Sequence, residues 1–138
     1  MENEFVSYEM ALALKELGFN ELCFYQYVKD FDNDGELIPI TSETNHPILR
    51  NNHQVSHCSG GDCFAAPLYQ QAFRWFREKY DLDSYIMPAR LETKKVYDYY
   101  IWFSNKEGER DLFIGMNNEY TYEEAEIECL NKLITTLK

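Results

Sequence analysis

Apolar residues recur at helical spacing in three segments of the chain. In "APLYQQAFRWFREKYDL" Tyr69, Phe73, Phe76 and Tyr80 fall at i, i+4, i+7 and i+11. Ala72 and Trp75 join them, and Arg74, Arg77 and Glu78 take the opposite side. In "TYEEAEIECLNKLITTLK" Ala125, Cys129, Leu133 and Leu137 align beside Tyr122 and Leu130, which assigns Glu123, Glu124, Glu126 and Glu128 to the outer face. "SYEMALALKELG" is the third. Its Ser7 suits an N-cap, and Gly18 suits the left-handed residue that stops a helix. Thr121 with Glu124 three residues later makes a capping box, and Pro67 is expected at a first helical position, where its missing N–H does no harm.

Strand signals fill the intervals. "ELCFYQYV" and "ELIPI" flank the turn-rich "KDFDNDG" and read as a hairpin, with Pro39 confining the second strand to an edge. "SYIMPARL", "KVYDYYIWFS" and "RDLFIG" read as a three-strand meander with turns near 92–95 and 105–108. Period-two alternation puts Tyr97, Tyr99, Ile101 and Phe103 on one face of the middle strand and Val96, Tyr100 and Trp102 on the other. Both faces are rich in apolar and aromatic residues, so one can carry helices while the other is left to be covered or to bind. The expected fold is α+β: an antiparallel sheet, hairpin plus meander, with about three helices on one face. It is read as a single domain over 1–138 with a long irregular loop at about 41–66.

Composition narrows the class. Apolar residues make up 45% and aromatics 16% of 138 residues, enough apolar surface to offset chain entropy. No apolar run reaches membrane-spanning length, and "MENEFVSYEM" lacks the basic and apolar regions of a secretory signal. A cytoplasmic protein with no membrane contact is therefore expected, its four cysteines held as free thiols or ligands. A net charge of −11 repels phosphates, which excludes ordinary nucleic-acid binding. The same charge suits a basic protein partner or an acidic mimic of a nucleic-acid backbone that inhibits a DNA-binding protein.

Candidate chemistry is concentrated in "NNHQVSHCSGGDC", where His53, His57, Cys58 and Cys63 are ligand types that zinc favours and Gly60-Gly61 allows a tight turn. Against zinc, adjacent His57 and Cys58 strain a shared tetrahedron, and no paired C-x2-4-C knuckle is present. A redox-active Cys58–Cys63 pair, a Cys–His nucleophile and a solvated polar connection are the other readings, and the polar connection leads. Cys23 and Cys129 are expected as buried core thiols. "DFDNDGE" opens like a calcium loop but lacks the bidentate glutamate at its twelfth position, which is Thr41. There is no G-x-S-x-G, phosphate-cradling glycine loop or H-E-x-x-H.

"FVSYEMALALKELGF", "APLYQQAFRWFREKYDL", "YDYYIWF" and "TYEEAEIECLNKLI" together resemble small uncharacterised proteins carried by phages, prophages and mobile elements of gut-associated anaerobic bacteria. The resemblance implies a small protein of the bacterial cytoplasm, and it brings no activity, cofactor or catalytic residue. The expectation is a non-enzymatic accessory protein acting through a protein partner or self-association. Its candidate surfaces are Tyr100 and Trp102 on the spare sheet face and Glu123, Glu124 and Glu128 on the last helix. A zinc-organised loop and the nucleic-acid mimic are the alternatives.

Overall fold

The computed structural model describes residues 2–29, 34–55, 63–104 and 107–138. Among the described residues three α-helices, α1 (Tyr8–Glu16), α2 (Tyr69–Tyr80) and α3 (Tyr122–Leu137), are interspersed with six strands. These are β1 (Tyr25–Lys29), β2 (Asp34–Pro39), β3 (Cys63–Ala66), β4 (Asp83–Leu91), β5 (Lys94–Ser104) and β6 (Arg110–Tyr120). The fold is α+β with antiparallel sheets. The chain divides into two compact units, Met1–Leu68 and Tyr69–Lys138.

In the first unit the Ser7 side chain accepts from the Met10 N–H at 3.3 Å, and α1 ends at Gly18 with φ 94°. There Phe19 N–H reaches the Leu14 carbonyl and Gly18 N–H reaches Lys15, satisfying the orphan carbonyls of the last turn. β1 pairs with β2 on one side and β3 on the other, so β2, with Pro39, lies at an edge as the proline requires. The core gathers around Phe64, Leu14, Val6 and Tyr27, and the Tyr27 hydroxyl donates to the Val6 carbonyl at 2.6 Å.

The stretch read as irregular is pinned at several points. Ile40 and Ile48 are joined backbone to backbone, Thr41 bridges Pro47, and Cys23 exchanges two backbone bonds with Arg50. Asn52 donates to the Phe19 carbonyl at 2.7 Å and accepts from the Ala65 N–H at 2.8 Å, tying this segment to β3. Cys63–Ala66 is strand rather than loop, because Phe64, Ala65 and Ala66 are buried and pair with β1.

Pro67 stands two residues before α2 rather than at its first position. Its carbonyl accepts from the Val6 N–H at 3.0 Å, an extended role that the neighbouring Phe5–Leu68 bridge continues.

In the second unit β4, β5 and β6 form the meander, and β4 and β5 are joined by a two-residue turn in which Glu92 has φ 54°. Asp81, at φ 54°, follows the end of α2, a left-handed position that short polar Asp tolerates. The Thr121 capping box starts α3: Glu124 N–H donates to the Thr121 hydroxyl at 3.2 Å and Thr121 N–H to the Glu124 carboxylate at 2.8 Å. Leu130, Leu133, Cys129 and Phe76 are fully buried here, beside Ile101 and Tyr99 of β5.

The helices cover the Tyr97–Tyr99–Ile101 face. Tyr97 meets Tyr122 edge-on at 5.4 Å, and the Lys132 ammonium lies 4.3 Å over the Phe113 ring. Register explains the last contact, since Phe113 is paired with Ile101.

Candidate functional site: the open face of the second sheet

Strand pairing decides which side chains share the remaining face. Tyr85 is opposite Tyr100, Met87 is opposite Asp98, and on the other flank Ile114 and Leu112 are opposite Tyr100 and Trp102. Partners across a ladder point the same way, so Tyr85, Met87, Tyr100, Trp102, Leu112 and Ile114 form one surface. Met87 is 46% exposed, Tyr85 41% and Ile114 38%, large values for apolar residues of a strand interior. Tyr100 and Trp102, on the central strand, are half-buried by these neighbours.

The patch is ordered internally. Tyr85 and Tyr100 stack at 5.4 Å with planes 14° apart, and the Trp102 indole N–H donates to the Tyr85 hydroxyl at 2.5 Å. At one end Arg110 pairs with Asp83 at 3.0 Å, with Asp81 also at 3.8 Å. One guanidinium against two carboxylates leaves this end with a net charge of −1. Towards the other end Val96 and Asp98 are buried. There β6 carries extra residues, because Tyr97 pairs with Tyr120 while Tyr99 pairs with Gly115.

Of the residues expected at this surface, Tyr100 and Trp102 are joined by four that sequence reasoning did not assign: Tyr85, Met87, Leu112 and Ile114. The signal that could have found them is the register of the two hairpins, which requires turn lengths to be known to the residue. In the first unit Leu22, Phe24 and Leu49 are also exposed, flanking the Cys23–Arg50 bridge.

The acidic face of α3 differs from its expected form. Glu123 is exposed, but Glu124 is engaged in the capping box. Glu128 is half-buried; burial pushes the Tyr99 and Tyr120 hydroxyls up, and the Glu128 charge adds a smaller push to each. Glu126, assigned to the outside, is only 7% exposed and accepts from the Gln70 amide at 3.3 Å. At 100° per residue it sits within the arc of Cys129, Leu130 and Leu133, so the assignment to the outer face was an error of angle. Burial pushes its carboxyl above the ordinary range; the Gln70 hydrogen bond opposes this and the Glu123 charge adds to it.

His53 is exposed, its N–H donating to the Asn51 side chain in a polar turn. Cys63 opens β3 and is disulfide-bonded, whereas a zinc ligand must be a thiolate and the sequence expectation was a free thiol or ligand. His57 and Cys58 lie outside the described residues, as do Asp30 and Asp32 of the calcium-like stretch. Among the described residues no three His, Cys, Asp or Glu side chains gather in a metal-holding group. Cys23 and Cys129 are buried free thiols, as expected of core cysteines. Among the described residues, no helix is long and apolar enough to cross a membrane. No family model, curated protein or solved structure matches the chain.

Proposed function

We propose that the protein is a non-enzymatic accessory module that works by protein–protein contact through the open face of the second sheet. The observation that carries this reading is one ordered strand surface on which Tyr85, Met87, Leu112 and Ile114 are exposed around half-buried Tyr100 and Trp102. Aromatic and Met side chains of this kind are enriched at interface centres, and contiguous apolar patches mark interaction sites. The net charge of −11 favours a partner whose contact surface is apolar at its centre and basic at its rim. It also opposes close approach of a second copy, so a foreign partner is favoured over self-association.

Affinity capture with wild type, Tyr100→Ala and Trp102→Ala, combined with the solution mass of each, tests this reading. The expected result is a basic protein retained by wild type and lost by both variants, with their fold intact by circular dichroism. Variants that keep the wild-type mass and partners defeat the surface assignment.

A further inference from the structure

A concavity on the helix-bearing side of the same unit has chemistry that the interaction surface does not use. It encloses about 260 Å³ between Gln70, Phe73 and Arg77 of α2, Ser84, Tyr85 and Ile86 of β4, and Tyr122 of α3, so that Tyr85 borders both this trough and the open face. That is just below the range for drug-sized ligands, so it suits a small metabolite.

Its two ends carry opposite electrostatics. Gln70 and Arg77 are seven residues apart on one helix, which separates them by about 10 Å along its axis. At the Gln70 end stands Glu126, nine-tenths buried in the wall behind it. The Gln70 amide nitrogen is committed to that carboxylate at 3.3 Å, while its amide oxygen takes no hydrogen bond among the described residues. A carboxylate accepting from the nitrogen polarises the amide, making the free oxygen a better acceptor for a cationic donor. At the other end the Arg77 guanidinium makes no ion pair or hydrogen bond among the described residues. Phe73, buried, and Ile86, half-buried, lie between them as an apolar floor.

We propose that this trough binds a small extended zwitterion, its ammonium on the Gln70 oxygen within the field of Glu126 and its carboxylate on Arg77. The apolar chain between the two charges lies over Phe73 and Ile86. Separation of the charges by the length of the trough is the selective feature: an ω-amino acid fits, whereas glycine is too short to engage both ends. A simple anion meets the Glu126 field at one end, and a simple amine leaves Arg77 unmatched at the other.

The probe is 6-aminohexanoate, titrated into the isotopically labelled full chain and followed by amide chemical shifts, with hexylamine and hexanoate as single-ended controls. Expected are saturable shifts at Gln70, Phe73, Arg77 and Ile86, with affinity about fivefold above either control, the scale of one exposed ion pair. Arg77→Gln then lowers affinity for the zwitterion to that of hexylamine. Glu126→Gln, which keeps shape and packing, lowers it to that of hexanoate, and Gln70→Ala gives the same loss if Glu126 alone is not tolerated. Absence of saturable shifts at these amides overturns the proposal, as does zwitterion affinity unchanged by both Arg77→Gln and the substitution at the Gln70 end. Arg77 is not part of the open face, so partner capture by Arg77→Gln separates failure of this proposal from failure of the surface assignment.

Discussion

The Trp102 indole N–H donates to the hydroxyl of Tyr85 across the open face of the second sheet. The pair is diagonal: Trp102 is in register with Asp83, and Tyr85 is two residues further along β4, stacked on Tyr100. Such diagonal neighbours are within reach only of long aromatic side chains. Tyr85→Phe keeps the stack and removes the acceptor. Because the pair is solvent-exposed, the expected loss of stability is under about 1 kcal/mol. The indole emission should shift in the same variant, and a urea titration followed by fluorescence reads both.

Gly115 is where Tyr99 crosses to β6. A Cβ built there would overlap Cε1 and Cζ of the buried Tyr99 ring. Gly115→Ala is expected to cost about 1–3 kcal/mol, the range for overpacking. Gly108→Ala is the control for steric crowding, since nothing lies within 4 Å of a Cβ there and only its positive φ is strained. Equal midpoints for the two variants in chemical denaturation would remove the steric argument.

Thr121→Ala removes the hydroxyl that accepts from the Glu124 N–H and leaves the backbone half of the α3 capping box in place. The expected loss is about 1 kcal/mol, within the 0.5–2 kcal/mol span for such caps. Glu124→Gln retains an acceptor for the Thr121 N–H but loses its charge at the positive helix end, so its loss should be smaller. Thermal unfolding of the two variants gives the order.

Glu126 makes stability depend on pH with a defined sign. Its carboxyl is raised above the ordinary 4.5, chiefly by burial, so the folded chain holds this proton to higher pH than the unfolded chain. Its contribution is therefore most favourable below about pH 4.5, falls as pH rises through the raised value, and is level above that. Glu126→Gln should remove this descent and gain on wild type at neutral pH. Denaturation midpoints between about pH 4 and pH 7 show the difference curve. A difference that stays flat across that window contradicts the assignment.

Cys129 should be inert in the native state. Burial pushes its thiol up to about 12, despite the hydrogen bond with Ser84, and almost no thiolate exists near pH 8. Disulfide-exchange reagents are expected to modify Cys129 at the rate of unfolding, so adding denaturant should accelerate the reaction steeply. A fast native reaction at Cys129, located by mass spectrometry, would show that the α3–sheet contact opens readily.

Local signals in the chain determined the helices, the meander and the α+β class, because each depends on neighbours a few residues apart. Ser7, Gly18, Thr121 and Glu124 act within one helical turn, and the alternation of Tyr97 to Trp102 needs only the pleat of a strand. The same alternation separated Tyr100 and Trp102 from the helix-bearing face. Tertiary structure decided the rest. Cys63–Ala66 has too few residues to announce a strand; it is one because β1 offers a partner and Phe64 a core to enter. Pro67 looked like a helix opener and is instead held beside Val6, a residue 61 positions away in sequence. Tyr85, Met87, Leu112 and Ile114 joined the open face through register, and Glu126 was turned inward by a helix angle that its charge disguised. Glu126 apart, whose angle follows from helical spacing, each of these depends on a long-range pairing or on burial, and neither is encoded in spacing along the chain.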